Sequence, residues 1–490
     1  MASVVARIDK RVRPAPPLTV RLKAFYGLGS TAEALSITAS SSFLLIFYNQ
    51  VRGLPAAHVG LALSLGLFVN AVFDPLVGSW SDRTRSRLGR RHPFMFASVL
   101  PAGLLFFAVF NPPHWGETAQ LVWLGVCNTA LLQAMTLYHT PHLALGGEMA
   151  DGYLERTSIM AYNTFCLWAG DTMAWLLSYR LFFSPTPNQP NGALIESRYP
   201  LFAAAVGVTI ALVLVTSSWA TRSRIPWLKQ VAPEEQHFDA RRFGRDIWRT
   251  LTNRNYVVLL LGLAFSSLMS GVRLGLAIYV NSYYWQLDNG QISLFVIASF
   301  AGYAFAALVV RRLHDRLDKR WTGALALAVY CIGPVIPLLL GYYGILTPRT
   351  PGLLWILIGF ALFQHLPYSL MTTTIYSALA DIADEVELKH GMRQEGILYS
   401  TRTFFARVDQ ALGTALAGVV LGLIAFPAHA TPGQVGQPVL DHLAAALLLS
   451  TIPGLIAAGF YAMLRVTRAS HDATRAALDA LEAATAAAAS

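Results

Sequence analysis

Several ionisable residues lie within long apolar runs of this sequence. They are the acids Glu33 and Asp74, the imidazole of His139 and the guanidinium groups of Arg273 and Arg407. A charge inside a bilayer costs about 2.5–3.5 kcal/mol on insertion scales, so such residues usually face a protein interior or a water-filled cavity and mark the path of ions or solutes. We therefore predict that these side chains bind a cation, a proton or a polar solute.

Catalysis is the less favoured interpretation of these residues. The sequence has no HExxH metalloprotease motif, no nucleophile elbow and no nucleotide-binding loop. Its three cysteines fall in apolar runs, without the spacing of metal ligands. We therefore expect no catalytic residue, no metal site and no cofactor beyond a coupling ion, H+ or Na+. A membrane-embedded enzyme or sensor is kept as the alternative from another class.

Composition defines the elements that must position these residues. The 490 residues are 54% hydrophobic and 13% charged, with a mean hydropathy of +0.47. Soluble domains contain about 25% charged residues, and a single soluble core stops growing near about 250–300 residues. The composition therefore excludes a soluble enzyme, a disordered protein and a secreted disulfide scaffold. It predicts an all-α membrane protein whose helices cross the bilayer.

Twelve apolar segments are long enough to span a bilayer. They lie at about residues 26–50, 56–80, 93–111, 117–145, 157–184, 199–221, 255–284, 291–312, 321–346, 351–379, 396–425 and 439–464. With both termini in the cytoplasm, 30 of the 37 basic residues fall on the cytoplasmic side and four on the other. This asymmetry follows the positive-inside rule. We predict an integral protein of a bacterial inner membrane with cytoplasmic termini.

The longest polar segment divides the spans into two halves. We predict a cytoplasmic N-tail (1–25), a first six-helix bundle (26–221), a central cytoplasmic loop (222–254), a second six-helix bundle (255–466) and a cytoplasmic C-tail (467–490). The net charge of +10 is spread over short clusters between spans, which argues against a nucleic-acid partner. The expected partners are the lipid bilayer and a small-molecule substrate, and we expect a monomer.

Matching charged motifs recur in the two halves, in the loops after spans two and eight and after spans four and ten. Their members are Asp82, Arg83, Arg90, Arg91, Glu148, Asp151, Asp315, Arg316, Asp381 and Asp384. Recurrence at corresponding places indicates an internal duplication. An acidic residue at a helix end with several arginines nearby can pin two helices together in one conformation and release them in another. We therefore predict gating roles for these residues.

Two stretches resemble a known family of transporters. Segment 78–91 resembles the loop signature of the major facilitator superfamily, whose fold is two pseudo-symmetric six-helix bundles. Segment 74–93, which opens with Asp-Pro-Leu-Val-Gly, and segment 380–400, which includes Arg393, resemble the glycoside-pentoside-hexuronide:cation symporters, the melibiose-carrier group. Lysolipid symporters belong to the same wider group and share the Asp-Pro-Leu-Val-Gly pattern. The resemblance implies cation-coupled secondary transport and a conformational role for Arg393.

The resemblance also implies a cation site. In that family two carboxylates one helical turn apart on span two bind the coupling cation, and here these positions hold Asn70 and Asp74, with a hydroxyl of the site at Thr136. Residues four apart share a helix face, and hard cations prefer oxygen ligands. One carboxylate, one amide and one hydroxyl make a weaker sodium site than two carboxylates. We therefore favour a proton over sodium, bound at a carboxyl group held away from water.

The substrate positions depart from the sugar-carrier pattern. The family's span-one acid aligns beside Glu33 and its span-four acid aligns with His139, so most of the groups that bind sugar hydroxyls are missing. Arg407 falls on the family's span-eleven cation, and Arg273 is an added charge that could hold an anionic group. Trp168 in span five is a core residue or a substrate platform. We predict a symporter of a glycoside-like or other polar, including anionic, solute; the alternative is a lysolipid or amphiphile symporter.

Overall fold

The computed structural model describes residues 16–149, 153–187, 189, 191–228, 252–390 and 395–467, with isolated positions from 469 to 480. The described chain makes twelve helical passes. They are α1 (Val20–Ile46), α2 (Ala56–Arg83), α3 (His92–Val109), α4 (Glu117–Met149), α5 (Tyr153–Leu177), α6 (Tyr199–Thr221), α7 (Arg254–Tyr279), α8 (Phe295–Arg316), α9 (Lys319–Ile332 and Val335–Tyr342), α10 (Leu353–His390), α11 (Glu395–Leu423) and α12 (Gln437–Leu449 and Thr451–Ala462). The all-α prediction is confirmed, and the passes are consistent with the twelve predicted spans.

Nine of the helices in the described ranges are long and apolar enough to cross a membrane. The remaining passes are α5, α8 and α11, whose sequences include Asp171, Arg311 and Arg407 respectively. A helix with charged residues is stable in a bilayer when its polar face is turned toward other helices or a cavity. The most polar passes are therefore the ones that should line the interior between the two halves.

Two main clusters of buried apolar side chains form the core. We call the end of the bundle where the chain begins at Val20 the terminal end, and the opposite end the distal end. The larger cluster covers α1 to α6 and also takes in the distal ends of C-terminal passes through Tyr279, Leu338 and Leu443. The smaller cluster holds the terminal parts of the C-terminal passes, including Tyr256 and Leu327. The two halves therefore share one core at the distal end.

Buried hydrogen bonds also join the halves at the distal end. Gln50, which is 3% exposed, accepts from the Tyr283 hydroxyl at 3.2 Å and from the Ala430 amide at 2.9 Å, and donates to the Pro427 carbonyl at 3.1 Å. Five further hydrogen bonds between described residues cross the interface here: Tyr279 to Asn49, Asn191 to Ser282, Asn289 to Phe183, Arg180 to Ser293 and Trp175 to Ile292. Because buried polar groups are costly unless paired, these contacts hold the distal end closed.

Glycines bring α11 into close contact with α2 of the first half and with α7 of its own half. A Cβ atom on Gly60 of α2 would lie 2.9 Å from the Cα atom of Gly418, and one on Gly271 of α7 would lie 2.8 Å from the Cα atom of Gly413. Real Cβ contacts are longer, so these positions admit only glycine without movement of the helices. Small residues of this kind let membrane helices pack backbone to backbone.

Gly418→Ala should weaken this crossing. The new methyl group would meet the Ala56 carbonyl oxygen at 2.5 Å and the Gly60 Cα atom at 2.8 Å. Overpacking costs about 1–3 kcal/mol, so we expect a lower thermal unfolding midpoint in detergent. The matched control is Gly359→Ala in α10, where a Cβ atom would meet nothing within 4 Å. Equal midpoints for the two variants would contradict the close packing.

Candidate functional site

A cavity of about 120 Å³ lies between the two halves, with walls from α1, α2, α4, α7 and α11. Its ionisable lining side chains, among those that the structure describes, are Glu33, His139 and Arg407. Neutral polar groups line it as well: Ser36, Ser40, Ser41, Asn70, Asn128, Thr136, Gln410 and Thr414. Sites that enclose drug-sized ligands measure about 300–1,000 Å³, so this cavity must widen before it encloses a solute of that size.

The structure brings the predicted cation-site residues together around Asp74. The Thr136 hydroxyl donates to Asp74 Oδ1 at 2.6 Å. The other carboxylate oxygen forms an ion pair with Nε of Arg407, so α2 and α11 are joined by opposite charges. The side chains of Asp74 and Arg407 are 16% and 21% exposed. Both oxygens of Asp74 are therefore engaged, and its charge is balanced by a residue of the other half.

Asn70 completes the network once its amide is oriented by its neighbours. The Thr136 hydroxyl has one hydrogen, which Asp74 accepts, so Asn70 must present its nitrogen to Thr136 Oγ1, at 2.9 Å. In this orientation the amide nitrogen also donates to the Leu132 carbonyl at 3.3 Å, and the oxygen accepts from Arg407 Nη1 at 3.2 Å. The amide nitrogen of Asn70 then faces acceptors and its oxygen a donor, which is the criterion for assigning an amide. Asn70 and Thr136 thus hold the ion pair in place.

A second charged pair lines the same cavity. Nδ1 of His139 on α4 lies 2.6 Å from Oε2 of Glu33 on α1, and their side chains are 23% and 15% exposed. This is the length of a charge-assisted hydrogen bond. Both residues are predicted substrate ligands, and the structure places them against each other on the wall of the cavity.

Arg273 lies elsewhere, away from the cavity lining. Its guanidinium donates to the carbonyl oxygens of Tyr330 at 3.1 Å and Cys331 at 2.9 Å, and to the hydroxyls of Thr451 at 2.9 Å and Ser450 at 3.3 Å. These acceptors lie where α9 and α12 are each interrupted between their two helical segments. Carbonyl groups at a helix end lack partners within the helix, and Arg273 supplies donors to them. In the structure, Arg273 therefore links α7 to α9 and α12.

Trp168 also lies outside the cavity lining. Its ring packs on Tyr303 of α8, with ring centroids 4.3 Å apart, and its side chain is 41% exposed. Tyr303 in turn contacts His365, which hydrogen-bonds to Ser299 at 3.0 Å. Trp168 thus joins the two halves, because α5 belongs to the first half and α8 to the second.

Predicted gating residues meet within each half at the terminal end. Arg90 and Arg91 both pair with Glu148, with Nη2 to Oε1 distances of 2.9 and 2.7 Å. In the second half Lys319 pairs with Asp381, with 2.5 Å between Nζ and Oδ2. The loop after α2 thus binds the end of α4, and the first residue of α9 binds the last third of α10. This correspondence is the geometry expected of an internal duplication.

Other predicted gating residues can be placed only in part. Asp384 is buried and Arg316 is exposed. Asp151 and Arg393 lie outside the described residues, as do the side chains of Asp82, Arg83 and Asp315.

Sequence reasoning missed the neutral polar face of the cavity. Ser36 and Ser40 are four apart on α1, and Gln410 and Thr414 are four apart on α11, so each pair shares one helix face. Sequence reasoning also missed Lys319 as the partner of Asp381, although the internal duplication could have indicated it. Lys319 begins α9, directly after the loop that corresponds to the one holding Arg91.

Comparison with known proteins shows which family the chain resembles. The chain matches the family model described as MFS/sugar transport protein over residues 25–468. It is 24% identical to the putative glycoside/cation symporter YagG of Escherichia coli (strain K12) over 91% of both chains. It is 22% identical to the isoprimeverose transporter of Lactiplantibacillus pentosus, over 84% of this chain and 81% of that protein.

A solved structure shares the fold. The crystal structure of a bacterial homolog of the human lysosomal transporter Spinster, inward-facing and unoccupied, has a TM-score of 0.64 at 15% identity, covering 94% of this chain and 97% of that chain. The resemblance inferred from the loop motifs is confirmed by the full-length match to the family model and to symporters. The chain is an integral membrane transporter and not an enzyme, and it belongs to the MFS/sugar transport protein family, within the glycoside-pentoside-hexuronide symporters of the major facilitator superfamily.

Proposed function

We propose that the protein is a proton-coupled symporter of a neutral, hydroxyl-bearing solute of the glycoside type. The observation that supports this most is the cavity between the halves, where balanced charges and neutral hydroxyl and amide groups share one wall. A site between two pseudo-symmetric bundles is where transporters of this architecture bind solute, with access alternating as the bundles rock. The closed distal end corresponds to one such state, with the solute path leading to the terminal end.

The charges of the site favour a neutral solute over an anionic one. The positive charge of Arg407 is balanced by Asp74, and Arg273 is engaged with helix ends outside the cavity. Among the described lining side chains, this leaves serine, asparagine, glutamine and threonine groups to bind the solute. Such groups donate and accept hydrogen bonds, as sugar hydroxyls do.

The ion pair at Asp74 disfavours sodium as the coupling ion. A sodium ion at Asp74 would have to displace the Arg407 guanidinium, which is tethered to α11 and already pairs with the carboxylate. A proton, unlike a sodium ion, does not need several oxygen ligands around it. Coupling requires that ion and solute each bind more tightly to the state that the other favours, and this linkage is reciprocal.

Uptake by proteoliposomes tests this function. We expect an inward proton gradient to drive accumulation of neutral radiolabelled glycosides above equilibrium, and an inward sodium gradient at equal pH to drive none. Uptake of a hexuronate tests an anionic solute. Uptake of a lysophosphatidylcholine tests an amphiphilic solute, because leucines also line the cavity. Accumulation under sodium alone would contradict proton coupling, and uptake of the lysolipid alone would contradict the solute class.

Asp74→Asn should abolish gradient-driven accumulation while leaving solute counterflow partly intact. The change leaves the Arg407 charge without its counter-ion between α2 and α11, so the charge balance of the coupled cycle is lost. Initial rates of both modes are measured in the same vesicles. Asp441→Asn, on the exposed start of α12, is the matched control and should behave as wild type. Wild-type accumulation by Asp74→Asn would refute the role of this carboxylate.

Arg273→Gln should lower the thermal unfolding midpoint without changing the apparent substrate constant. The buried guanidinium donates to four acceptors on α9 and α12, so its loss leaves buried carbonyl groups unpaired at about 1–3 kcal/mol each. Counterflow kinetics at matched protein density give the substrate constant. A raised constant with an unchanged unfolding midpoint would instead indicate that Arg273 contacts the solute.

A further inference from the structure

The described ionisable side chains at the cavity leave one negative charge without a fixed partner. Asp74 and Arg407 balance each other across α2 and α11. Glu33 pairs with His139, whose ring is positive only when it holds a second proton. An uncompensated charge in a low-dielectric interior is costly, so this part of the cavity favours the uptake of one positive charge by Glu33 and His139 together.

The geometry of this pair suits a proton. Nδ1 and Oε2 are 2.6 Å apart, so one hydrogen bridges the imidazole and the carboxylate. Imidazole is the side chain that changes charge near neutral pH. Both side chains are part of the cavity wall, so the proton can exchange with water that enters the cavity.

The other titratable groups around the pair, among the side chains that the structure describes, are already engaged. On α4, His142 is buried and stacked on Tyr26, with its Nε2 atom 2.9 Å from the Tyr26 carbonyl oxygen. On α5, Asp171 hydrogen-bonds to Thr38 of α1. The α7 residues in the cavity wall are glycines and a leucine, which contribute no charge.

Two groups from the other helices complete the electrostatic surroundings of the pair. Asp74 of α2 is negative and Arg407 of α11 is positive, and Tyr138 of α4 is buried and stacked on His142. Because Asp74 and Arg407 are in contact and opposite in sign, together they add no net charge to the surroundings of the pair.

We propose that the Glu33–His139 pair binds the coupling proton, one per transport cycle, while Asp74 stays ionised against Arg407. This rests on the proposed proton-coupled symport. Water on one side of the membrane gives a proton to the pair, and the pair returns it to water on the other side, so no bond other than N–H or O–H forms or breaks. The protonated cavity is then neutral and accepts a neutral solute without adding a buried charge.

Double neutralisation of the other pair separates this proposal from proton binding at Asp74. Asp74→Asn combined with Arg407→Gln removes one charge of each sign, so the cavity keeps its single excess negative charge. We expect this double variant to restore proton-driven accumulation that Asp74→Asn alone has lost. A double variant that folds and performs counterflow but stays uncoupled would overturn the proposal.

Variants of the pair give the complementary test. Glu33→Gln and His139→Gln should each lose proton-driven accumulation and lose the pH dependence of uptake, while counterflow at a fixed pH persists. The matched control is the exposed pair of His58 and Glu117, whose atoms lie 3.7 Å apart. His58→Gln and Glu117→Gln should keep the wild-type pH dependence. Intact proton coupling in Glu33→Gln or His139→Gln would overturn the proposal.

Proton binding can also be measured without any transported solute. In full-length protein labelled with ¹⁵N-histidine, the His139 resonance is identified by its loss in His139→Gln, and its pH titration is recorded in nanodiscs. We expect a titration that changes in Glu33→Gln and not in Glu117→Gln. If His139 titrates in this Glu33-dependent way but the protein takes up no solute, the proposed function is refuted and the proton site stands. Sodium-driven uptake with a pH-independent His139 signal would overturn the proton site and leave symport standing.

Discussion

A charge buried among membrane helices has to be balanced by another group, and this constraint organises the centre of the molecule. Asp74 and Arg407 come from different halves and neutralise each other at the contact of α2 and α11. Glu33 meets the ring of His139, and Arg273 meets the carbonyl groups of interrupted helices. Each ionisable group thus joins particular helices, and members of both acid-centred pairs line the cavity.

The sequence predicted the class of fold and the inward location of the charged residues, because both follow from the cost of polar groups in lipid. It also indicated the family through loop motifs that come from both halves. Asn70 and Asp74 share one face of α2 because residues four apart do so in any helix, whereas Thr136 of α4 was assigned to the site by the family resemblance. Local geometry of this kind can be read from a sequence.

Tertiary partners could not be read in the same way. Nothing in the sequence says that Arg273 turns toward the breaks in α9 and α12 and away from the solute path, because the breaks lie more than fifty residues away along the chain. The contact of Trp168 with Tyr303 likewise depends on how α5 and α8 meet. The pairing of Asp74 with Arg407 shows the same limit, since only the fold reveals that the cation site already contains a tethered cation.

The glycine contact between α2 and α11 has a mechanical consequence. Without side chains to interlock, the backbones at Gly60 and Gly418 can roll over each other and act as a pivot. Asp74 lies fourteen residues further along α2, which at 1.5 Å per residue is a lever arm of about 21 Å. A relative rotation of about 10°, smaller than known subunit rotations, would displace Asp74 from Arg407 by about 4 Å. A small tilt at this contact is therefore enough to change the separation of the two charges at the centre of the transporter.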